Sequence, residues 1–338
     1  MKNENPRNNI VIEGLWFSGK TTLAKYYCSR NGYDFVPEPI HLGNISEAES
    51  VNSWYLSEHT KREAILDARH SAVLERSSLS SYAFQYALED GFFDNFELNQ
   101  LKRSIQEHAV LVVYLKSDQL SLPKGISSDE YYSGANQILS DTRRRKRYEQ
   151  WFLEELPYSY GITPFVLRTP ENGVRKTPEM MEEEVRAVLM HDRVAQVNVV
   201  CYWCGAAETK VLVLKRNQRK GGFWQTITGG VHVGEGLFEA AKREVFEEIG
   251  LNVNDTSLSA TGAKYSFPGN DGYILDEYVF SFRVDSMESV HISEEHETFE
   301  WLGVEDAKNR VAYENNRTAI ESLENKKNRH FSLIENCL

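Results

Sequence analysis

The chain has 338 residues, of which 41% are hydrophobic and 26% are charged, and its formal net charge is −12. This composition is typical of a folded soluble protein, and the length is enough for roughly two domains. The negative charge argues against broad electrostatic binding to nucleic acid or to an anionic membrane. It leaves small anionic substrates open, because local basic clusters or Mg²⁺ can bind them.

The N-terminus and the cysteines indicate a compartment. The first residues, "MKNENPRNN", are polar and lack the apolar core of a secretory signal. Apolar runs such as 109–115 are too short to span a bilayer, so we expect a cytoplasmic protein. Four cysteines are not a disulfide framework. Cys201 and Cys204 form one C-x-x-C without a second pair, and we interpret them as packing residues rather than a metal or redox site.

The first half of the chain alternates apolar strands with helical patterns. Such alternation predicts an α/β fold, in which a parallel sheet carries helices on both faces. The predicted strands are 9–14, 33–39, 72–77 and 109–117, and the predicted helices are 20–30, 47–70, 80–90, 95–107 and 179–193.

The second half has a different pattern, typical of a mixed, mostly antiparallel α+β domain. We expect strands at 194–204, 209–217, 259–267 and 272–284, and helices at 236–249 and 314–325. The boundary falls near 192–197, which predicts one domain over 1–193 and another over 196–338.

The stretch "GLWFSGKTT" fits the phosphate-loop pattern G-x-x-x-x-G-K-[ST] and stands between a predicted buried strand and a helix. Glycines permit the tight turn and free backbone N–H groups for phosphate oxygens. The Lys20 ammonium would reach the β- and γ-phosphates of ATP, and the Thr21 hydroxyl would hold Mg²⁺. The predicted ATP-binding residues are Gly14, Ser18, Gly19, Lys20, Thr21 and Thr22.

Three later features bear on the phosphate acceptor. Glu38 comes just after the second predicted strand, and Glu75 and Arg76 come just after the third. In an open parallel sheet the carboxyl ends of the strands border the ligand crevice. A basic run, "TRRRKRYE", concentrates five cations in an acidic protein. Taken one by one, these residues are also compatible with a loop charge, a surface ion pair and a solvated helix face.

Taken together, "IEG…GKTTL", "PEP", "ERS" and the arginine-rich segment resemble deoxynucleoside kinases over roughly residues 9–160, with thymidylate kinases as the main competitor. The resemblance implies that Glu38 takes the proton from the sugar 5′-hydroxyl, that Arg76 lies near the phosphates and that Glu75 lies on the metal side. It assigns Arg145 and Arg147 to the R-x-R-x-x-E lid motif. Glu149 is then the acidic member of that motif.

The segment that carries the base-reading Gln in those kinases departs from the family. Here "SWYLSEHTKRE" offers Trp54, Tyr55 and His59 but no Gln. The acceptor is therefore left open between a nucleoside, an unusual nucleoside and a nucleoside monophosphate.

The longest pattern in the chain is G-x5-E-x7-R-E-U-x-E-E-x-G-U, where U is a bulky aliphatic residue. Average residue frequencies produce it by chance in roughly one of 10⁷ chains of this length. Three of its glutamates share one face of the predicted helix, where a divalent cation would remove their repulsion. The fixed positions are Gly229, Glu235, Arg243, Glu244, Val245, Glu247, Glu248, Gly250 and Leu251.

This pattern is identified as the Nudix box. Nudix hydrolases cleave a nucleoside diphosphate linked to another group, and the resemblance implies that Glu244, Glu247 and Glu248 bind Mg²⁺ or Mn²⁺. Around it, "GFWQTITGGVHVGE" and "EHETFEWL" resemble the bacterial subgroup that hydrolyses dATP and dihydroneopterin triphosphate. That subgroup uses a downstream Glu as base or ligand, which we assign to Glu295, with Glu294 and Glu297 as alternatives. Phe223 and Trp224 line the nucleotide site or belong to an aromatic core.

The sequence therefore predicts a bifunctional enzyme of nucleotide metabolism that uses ATP and Mg²⁺ or Mn²⁺. One domain phosphorylates a nucleoside or its monophosphate, and the other hydrolyses a nucleoside triphosphate or a related diphosphate derivative. Two alternatives stay open, a regulator whose Nudix domain only senses a nucleotide and an N-terminal NTPase motor or switch. We expect small-molecule nucleosides and nucleotides as partners, not nucleic acid or membrane, with a homodimer as the candidate assembly.

Overall fold

The structure is a computed structural model. It describes residues 8–40, 51–68, 71–88, 95–117, 133–169, 175–205, 208–254, 257–269 and 272–323. Contacts between Cα atoms divide the chain into two compact units, one built mainly from residues up to Val194 and the other mainly from Ala195 onward. Two short segments, His232–Gly236 and Gly269–Ile274, belong to the first unit.

The first unit contains a five-stranded sheet in the order β2-β3-β1-β4-β5. Every neighbouring pair in it is parallel, which confirms the parallel α/β prediction. The carboxyl ends of all five strands therefore lie along one edge of the sheet. The strands are β1 (Ile10–Gly14), β2 (Asp34–Val36), β3 (Ala72–Glu75), β4 (Leu111–Lys116) and β5 (Phe165–Arg168).

Helices connect these strands and bury both faces of the sheet. Side chains alternate along a strand, so Val11 joins the large core cluster while Ile10 and Ile12 are buried on the opposite face. The helices are α1 (Lys20–Asn31), α2 (Val51–Ala68), α3 (Ser78–Leu88), α4 (Phe96–Glu107), α5 (Ser133–Leu139), α6 (Thr142–Gln150) and α7 (Pro178–His191), with a π-helical segment at Trp151–Tyr160 after α6.

The second unit contains a mixed sheet in the order β10-β11-β6-β7-β12, with β8 on β7 and β9 on β6. The β6 pairs with β7 and β9 are antiparallel, whereas β6 and β11 are parallel. The strands are β6 (Ala195–Cys204), β7 (Thr209–Arg216), β8 (Trp224–Gln225), β9 (Ile227–Val231), β10 (Leu258–Pro268), β11 (Ile274–Val284) and β12 (His296–Gly303).

The helix that carries the three box glutamates is α8 (Leu237–Ile249). Leu237, Ala241, Val245 and Ile249 recur every four residues and are fully buried, so this stripe fixes the rotation of the helix. Gly250 ends it with a φ of 70° and donates its N–H to the carbonyl of Phe246, as the sequence predicts. A short helix α9 (Val304–Arg310) and a helical segment at 314–323 follow.

Two further predictions concern cysteines and membranes. Cys201 is buried in β6, whereas Cys204 is exposed at the end of the strand, and both are free thiols. Among the residues that the structure describes, no helix combines the length and the apolar character that a bilayer crossing requires.

Candidate active sites

The loop between β1 and α1 has the geometry that its glycines predict. Gly14 has a φ of 143°, and a Cβ there would lie 2.8 Å from the carbonyl oxygen of Leu115. Gly19 has a φ of 101° and occupies the N-cap of α1 without a side-chain cap, so the first N–H groups of the helix lack a capping oxygen. The Lys20 ammonium donates to the carbonyl of Leu15 at 2.8 Å.

This loop borders a cavity of about 430 Å³ at the carboxyl edge of the sheet. Four of the six predicted ATP-binding residues line it. The Thr21 hydroxyl donates to a Glu75 carboxylate oxygen, so the two residues predicted on the metal side are in direct contact. The lining residues are Trp16, Phe17, Gly19, Lys20, Thr21, Thr22, Glu38, Tyr55, Glu75 and Arg175.

Burial changes the basicity of the cation in this loop. Lys20 is 5% exposed, and burial together with the nearby Arg76 guanidinium lowers the pKa of its ammonium to about 7, against the opposing effect of Glu38 and Glu75. Phosphate oxygens beside Lys20 would favour its charged form.

Glu38 and Arg76, predicted as base and phosphate-side cation, form an ion pair. Oε2 of Glu38 lies 3.0 Å from Nε of Arg76. Arg76 is 1% exposed, whereas the Glu38 side chain is 26% exposed and lines the cavity. The Glu38 carboxylate can therefore contact a ligand in the cavity, while the buried Arg76 guanidinium fixes the position of that carboxylate.

Arg76 is fixed on several sides. Its backbone has a φ of 62°, in the left-handed region, which is uncommon for a residue with a side chain. Nη1 donates to Ser80 Oγ at 2.9 Å and to the Tyr148 hydroxyl at 3.0 Å, and the guanidinium lies 4.4 Å from the centre of the Trp16 ring. Burial acts to lower the pKa of Arg76, but Glu38, Tyr148 and Glu13 together outweigh it and the pKa is raised.

Two buried carboxylates support this arrangement. Glu13 accepts hydrogen bonds from the backbone and hydroxyl of Ser77 and from the hydroxyl of Ser80. Glu63 in α2 accepts from the backbone and hydroxyl of Ser78. Burial raises the pKa of both groups, to about 7 for Glu63, against hydrogen bonds that lower it.

The segment that lacks the expected Gln presents aromatic side chains. Tyr55 lines the cavity and is stacked on His59 with 6.1 Å between ring centres. The Arg62 Nη1 atom lies 2.9 Å from His59 Nδ1, and burial with the charges of Arg62 and Arg76 lowers the pKa of His59 well below its usual value. The imidazole is thus neutral, with Nδ1 accepting from Arg62 and the proton on Nε2.

The structure does not bring the two predicted lid arginines to the cavity. Arg145 donates to Thr142 at 2.8 Å, and Arg147 donates to the carbonyl of Tyr86 at 2.8 and 3.1 Å. The spacing also needs correction, because Glu149 follows Arg147 by two residues, which gives R-x-R-x-E and not the family's R-x-R-x-x-E. The link from α6 to the site is made instead by Tyr148.

Several residues of this site were not predicted from the sequence. Glu13 offered a signal, since it is a charged residue inside a buried apolar strand. Tyr148 offered no signal of its own, because it follows a run of arginines and lysine that suggested a charged helix face. Arg175, which lines the cavity, follows β5 without any recognisable pattern.

In the second unit, Glu244 is set against the strand that precedes the box helix. A Cβ at Gly229 in β9 would overlap the Glu244 carboxylate, which explains the glycine there. Arg243 Nη1 donates to Glu244 at 2.6 Å and to Glu247 at 3.1 Å, and Nη2 donates to the carbonyl of Gly230 at 2.7 Å. The pairing with Glu247 is the one that the helical spacing predicts.

The three box carboxylates differ in exposure. The Glu247 side chain is 54% exposed, whereas Glu244 and Glu248 are buried, and burial raises the pKa of each. Arg243 opposes the rise at Glu244, and His296 opposes it at Glu248. Among the residues that the structure describes, no three metal-ligating side chains converge on one point.

These residues nevertheless fit a hard divalent cation. Carboxylate oxygens are the donors that Mg²⁺ and Mn²⁺ prefer, and all three project from one face of α8. Oε2 of Glu248 is buried without a hydrogen-bond partner, and such an atom is stabilised when a cation binds. Nε2 of His296 lies 3.3 Å from this oxygen.

Two of the three downstream glutamates are engaged in ion pairs. Glu295 lies 2.5 Å from Arg216 Nη2 and 3.3 Å from Lys220 Nζ. Burial acts to raise the pKa of Glu295, but hydrogen bonds from the two cations lower it. Glu297 pairs with Lys215 at 3.1 Å, and the exposed Glu294 accepts from Asn217 through its carbonyl. His296, between them, was not singled out from the sequence.

The two aromatic residues before the box have different surroundings. Trp224 packs against the core cluster that includes Val211 and Val213, with the Arg310 guanidinium 5.0 Å from its ring centre. Phe223 meets the exposed Tyr313 edge to face, with 5.0 Å between ring centres. Trp224 thus packs against the aromatic and aliphatic core, one of the two alternatives for this residue, while Phe223 belongs to a surface aromatic pair.

Comparison with known proteins identifies the second unit. The NUDIX domain family matches residues 194–323. A curated octanoyltransferase from Myxococcus xanthus is 32% identical over 114 residues, which cover 34% of this chain and 32% of that protein. The chain thus spans about a third of the length of this relative.

Solved structures give similar matches. A NUDIX hydrolase from Listeria monocytogenes is 31% identical, with a TM-score of 0.36, over 40% of this chain and 95% of that chain. The Escherichia coli dihydroneopterin triphosphate pyrophosphohydrolase is 27% identical, with a TM-score of 0.34, over 38% of this chain and 94% of that chain.

Proposed function

Residues 194–323 form a NUDIX domain, and on that premise we propose that the protein is a two-site enzyme of nucleotide metabolism. The domain over 196–338 hydrolyses a nucleoside triphosphate or a related diphosphate derivative. The domain over 1–193 transfers the γ-phosphoryl group of ATP to the hydroxyl of a nucleoside. Different observations support the two reactions.

The observation that supports hydrolysis is the disposition of the box carboxylates on α8. Glu244, Glu247 and Glu248 would hold Mg²⁺ or Mn²⁺, which supplies charge neutralisation for the phosphates and lowers the pKa of bound water. Arg243 holds Glu244 and Glu247 in place through one guanidinium. Glu295 lies in the loop before β12 and, once released from Arg216 and Lys220, can accept a proton from the attacking water.

A triphosphate panel tests this half of the proposal. Pyrophosphate release is measured with Mg²⁺ or Mn²⁺ for wild type and Glu247→Gln, which retains size but loses charge. We expect metal-dependent release that falls by at least 10²-fold in the variant. No turnover of any triphosphate, together with tight nucleotide binding, would instead support the sensing regulator.

The observation that supports phosphoryl transfer is the Glu38–Arg76 ion pair beside the glycine loop and its cavity. A carboxylate at this position can accept the proton of an acceptor hydroxyl while the oxygen attacks the γ-phosphorus and ADP departs. Lys20 and the N–H groups at the start of α1 would bind the transferred phosphate oxygens. Thr21 and Glu75 would hold Mg²⁺, which neutralises charge on the nucleotide phosphates.

The same geometry favours a neutral acceptor over a monophosphate. An acceptor phosphate beside Glu38 would meet a carboxylate, and like charges at close range repel. The Arg62 guanidinium already has protein partners, since its Nη2 donates to the carbonyls of Val36 and Glu75. Arg175 lines the cavity and is the guanidinium that would have to hold an acceptor phosphate.

An acceptor panel tests the kinase half. ADP formation from ATP is followed with nucleosides and with the corresponding monophosphates, using wild type and Glu38→Gln. We expect nucleoside-dependent turnover that falls by about 10²-fold or more in the variant. Turnover with monophosphates alone would support the thymidylate kinase alternative. ATPase activity that no acceptor changes would support a motor or switch.

A further inference from the structure

His296 is a buried histidine at the start of β12, directly behind the box helix. It is 6% exposed as a residue and its side chain is fully buried. Nε2 lies 3.3 Å from Oε2 of Glu248, and within the described residues neither ring nitrogen nor that oxygen forms a hydrogen bond. The imidazole thus lies at ion-pair distance from an unsatisfied buried oxygen of a proposed metal ligand.

The backbone holds the two residues in this relation. The N–H of Ser293 donates to the carbonyl of Glu248 itself at 3.0 Å, and the N–H of His291 donates to the carbonyl of Ile249 at 3.0 Å. A further bond runs from the N–H of His296 to the carbonyl of Ser293 at 3.1 Å. The turn that presents the imidazole is thus attached to the last turn of α8, so the position of His296 relative to Glu248 is set by main-chain bonds.

We infer that His296 is a positioning residue for the metal site, an inference that rests on the proposed hydrolase function. An N–H donor beside Oε2 fixes the rotamer of Glu248 and still leaves Oε1 and a second lone pair of Oε2 for the cation. A carboxylate ligand that is buried needs such a partner, because an unpaired buried charge is strongly destabilising. Partners of this kind behind a metal ligand typically change metal affinity by 10- to 100-fold when they are removed.

The neighbouring acidic residues do not have this relation to α8. Glu295 is paired with Arg216 and Lys220, and Glu297 is paired with Lys215. Of the run 294–297, His296 is the residue whose side chain reaches a box glutamate. Its role is therefore distinct from that of the downstream base, which would act on water.

The test is Mn²⁺ binding to the full chain, followed by electron paramagnetic resonance without nucleotide. The variants are His296→Leu, which removes the donor, and His296→Gln, which retains an N–H near the position of Nε2. His291→Gln is the matched control, since His291 belongs to the same segment but its side chain is exposed. Glu247→Gln reports whether the measured site is the box itself. Circular dichroism melting shows which variants are folded.

We expect the Mn²⁺ dissociation constant to rise by about tenfold or more in His296→Leu, to be largely restored in His296→Gln, and to be unchanged in His291→Gln. An unchanged constant in a folded His296→Leu, while Glu247→Gln weakens binding, would overturn the inference and leave the proposed function intact. No effect of Glu247→Gln would instead contradict the metal site. If His296→Leu does not fold, His296→Gln is the deciding variant. Mn²⁺ binding close to that of wild type would then support the positioning role. A loss of Mn²⁺ binding as large as that of Glu247→Gln would contradict the positioning role.

Discussion

The Tyr148 hydroxyl accepts a 3.0 Å hydrogen bond from Arg76, whose Nε lies 3.0 Å from the Glu38 carboxylate. A side chain of α6 is thus connected through one guanidinium to the proposed base at the cavity. Tyr148 also packs on Trp16 of the glycine loop, with 5.9 Å between ring centres. The arginine-rich helix therefore contributes to the first unit's site through its one buried tyrosine.

Tyr148→Phe should lower kcat for nucleoside phosphorylation by about tenfold, because a hydrogen bond to a charged group contributes roughly 1.5 kcal/mol or more. The ring and its packing on Trp16 are retained, so the KM for ATP should change little. The matched control is Tyr82→Phe, another buried tyrosine, whose hydroxyl accepts from the Leu98 N–H at 3.4 Å. Equal losses in the two variants would show that Tyr148 acts through general stability and not through Arg76.

Gly229→Ala should abolish hydrolysis while leaving phosphorylation intact. The new methyl would occupy the place of the Glu244 carboxylate, so this ligand must move away from the other two. Gly303→Ala is the control, since a Cβ there would have its nearest neighbour at 3.9 Å. The check is pyrophosphate release and ADP formation on the same preparations, and an active Gly229→Ala enzyme would contradict the placement of Glu244.

The buried Glu63 should make the free energy of unfolding depend on pH. Its pKa is raised from 4.5 to about 7 in the folded state, so the folded protein binds this proton more tightly than the unfolded chain does. The free energy of unfolding should therefore fall as pH rises from about 4.5 to 7, by up to about 3 kcal/mol from this group. Below pH 4.5 the group is protonated in both states, so its contribution is then constant.

Glu63→Gln should remove that part of the slope, because Gln has no proton to lose and can still bond to Ser78. Urea unfolding at pH 5 and pH 8 measures the difference, with Glu58→Gln as a control, since Glu58 lies on the same helix but is only partly buried. The pKa of Glu13 is also raised, but Glu13 is present in both wild type and Glu63→Gln, so its contribution cancels when the two slopes are compared. A slope equal to that of wild type would mean that Glu63 is not the titrating group.

Much of the fold follows from local patterns. Strands β1 to β4 are short apolar runs, and the buried stripe of α8 has a strict four-residue repeat, so both were predicted from the sequence, whereas β5 was not. The parallel pairing of β6 with β11 could not be predicted from local patterns, because these strands are far apart in the chain and only tertiary packing brings them together.

The sites were predictable to a similar extent. Glycine loops and box glutamates depend on fixed local spacing, and the structure brings Thr21 to Glu75 and Glu38 to Arg76. Tyr148, Arg62 and His296 act across long sequence separations, where no spacing rule applies. The arginine-rich pattern led to the prediction of Arg145 and Arg147 as site residues. The contact with Arg76 is instead made by Tyr148, the residue that follows Arg147.

The central claim, two independent reactions on one chain, is tested most directly by a crossed mass-spectrometric assay. Wild type, Lys20→Met and Glu247→Gln are each incubated with ATP, Mg²⁺ and the acceptor and triphosphate panels. We expect Lys20→Met to lose only the phosphorylated nucleoside and Glu247→Gln to lose only the products of triphosphate hydrolysis. Loss of both products in either folded variant, or of neither product in both, would contradict it.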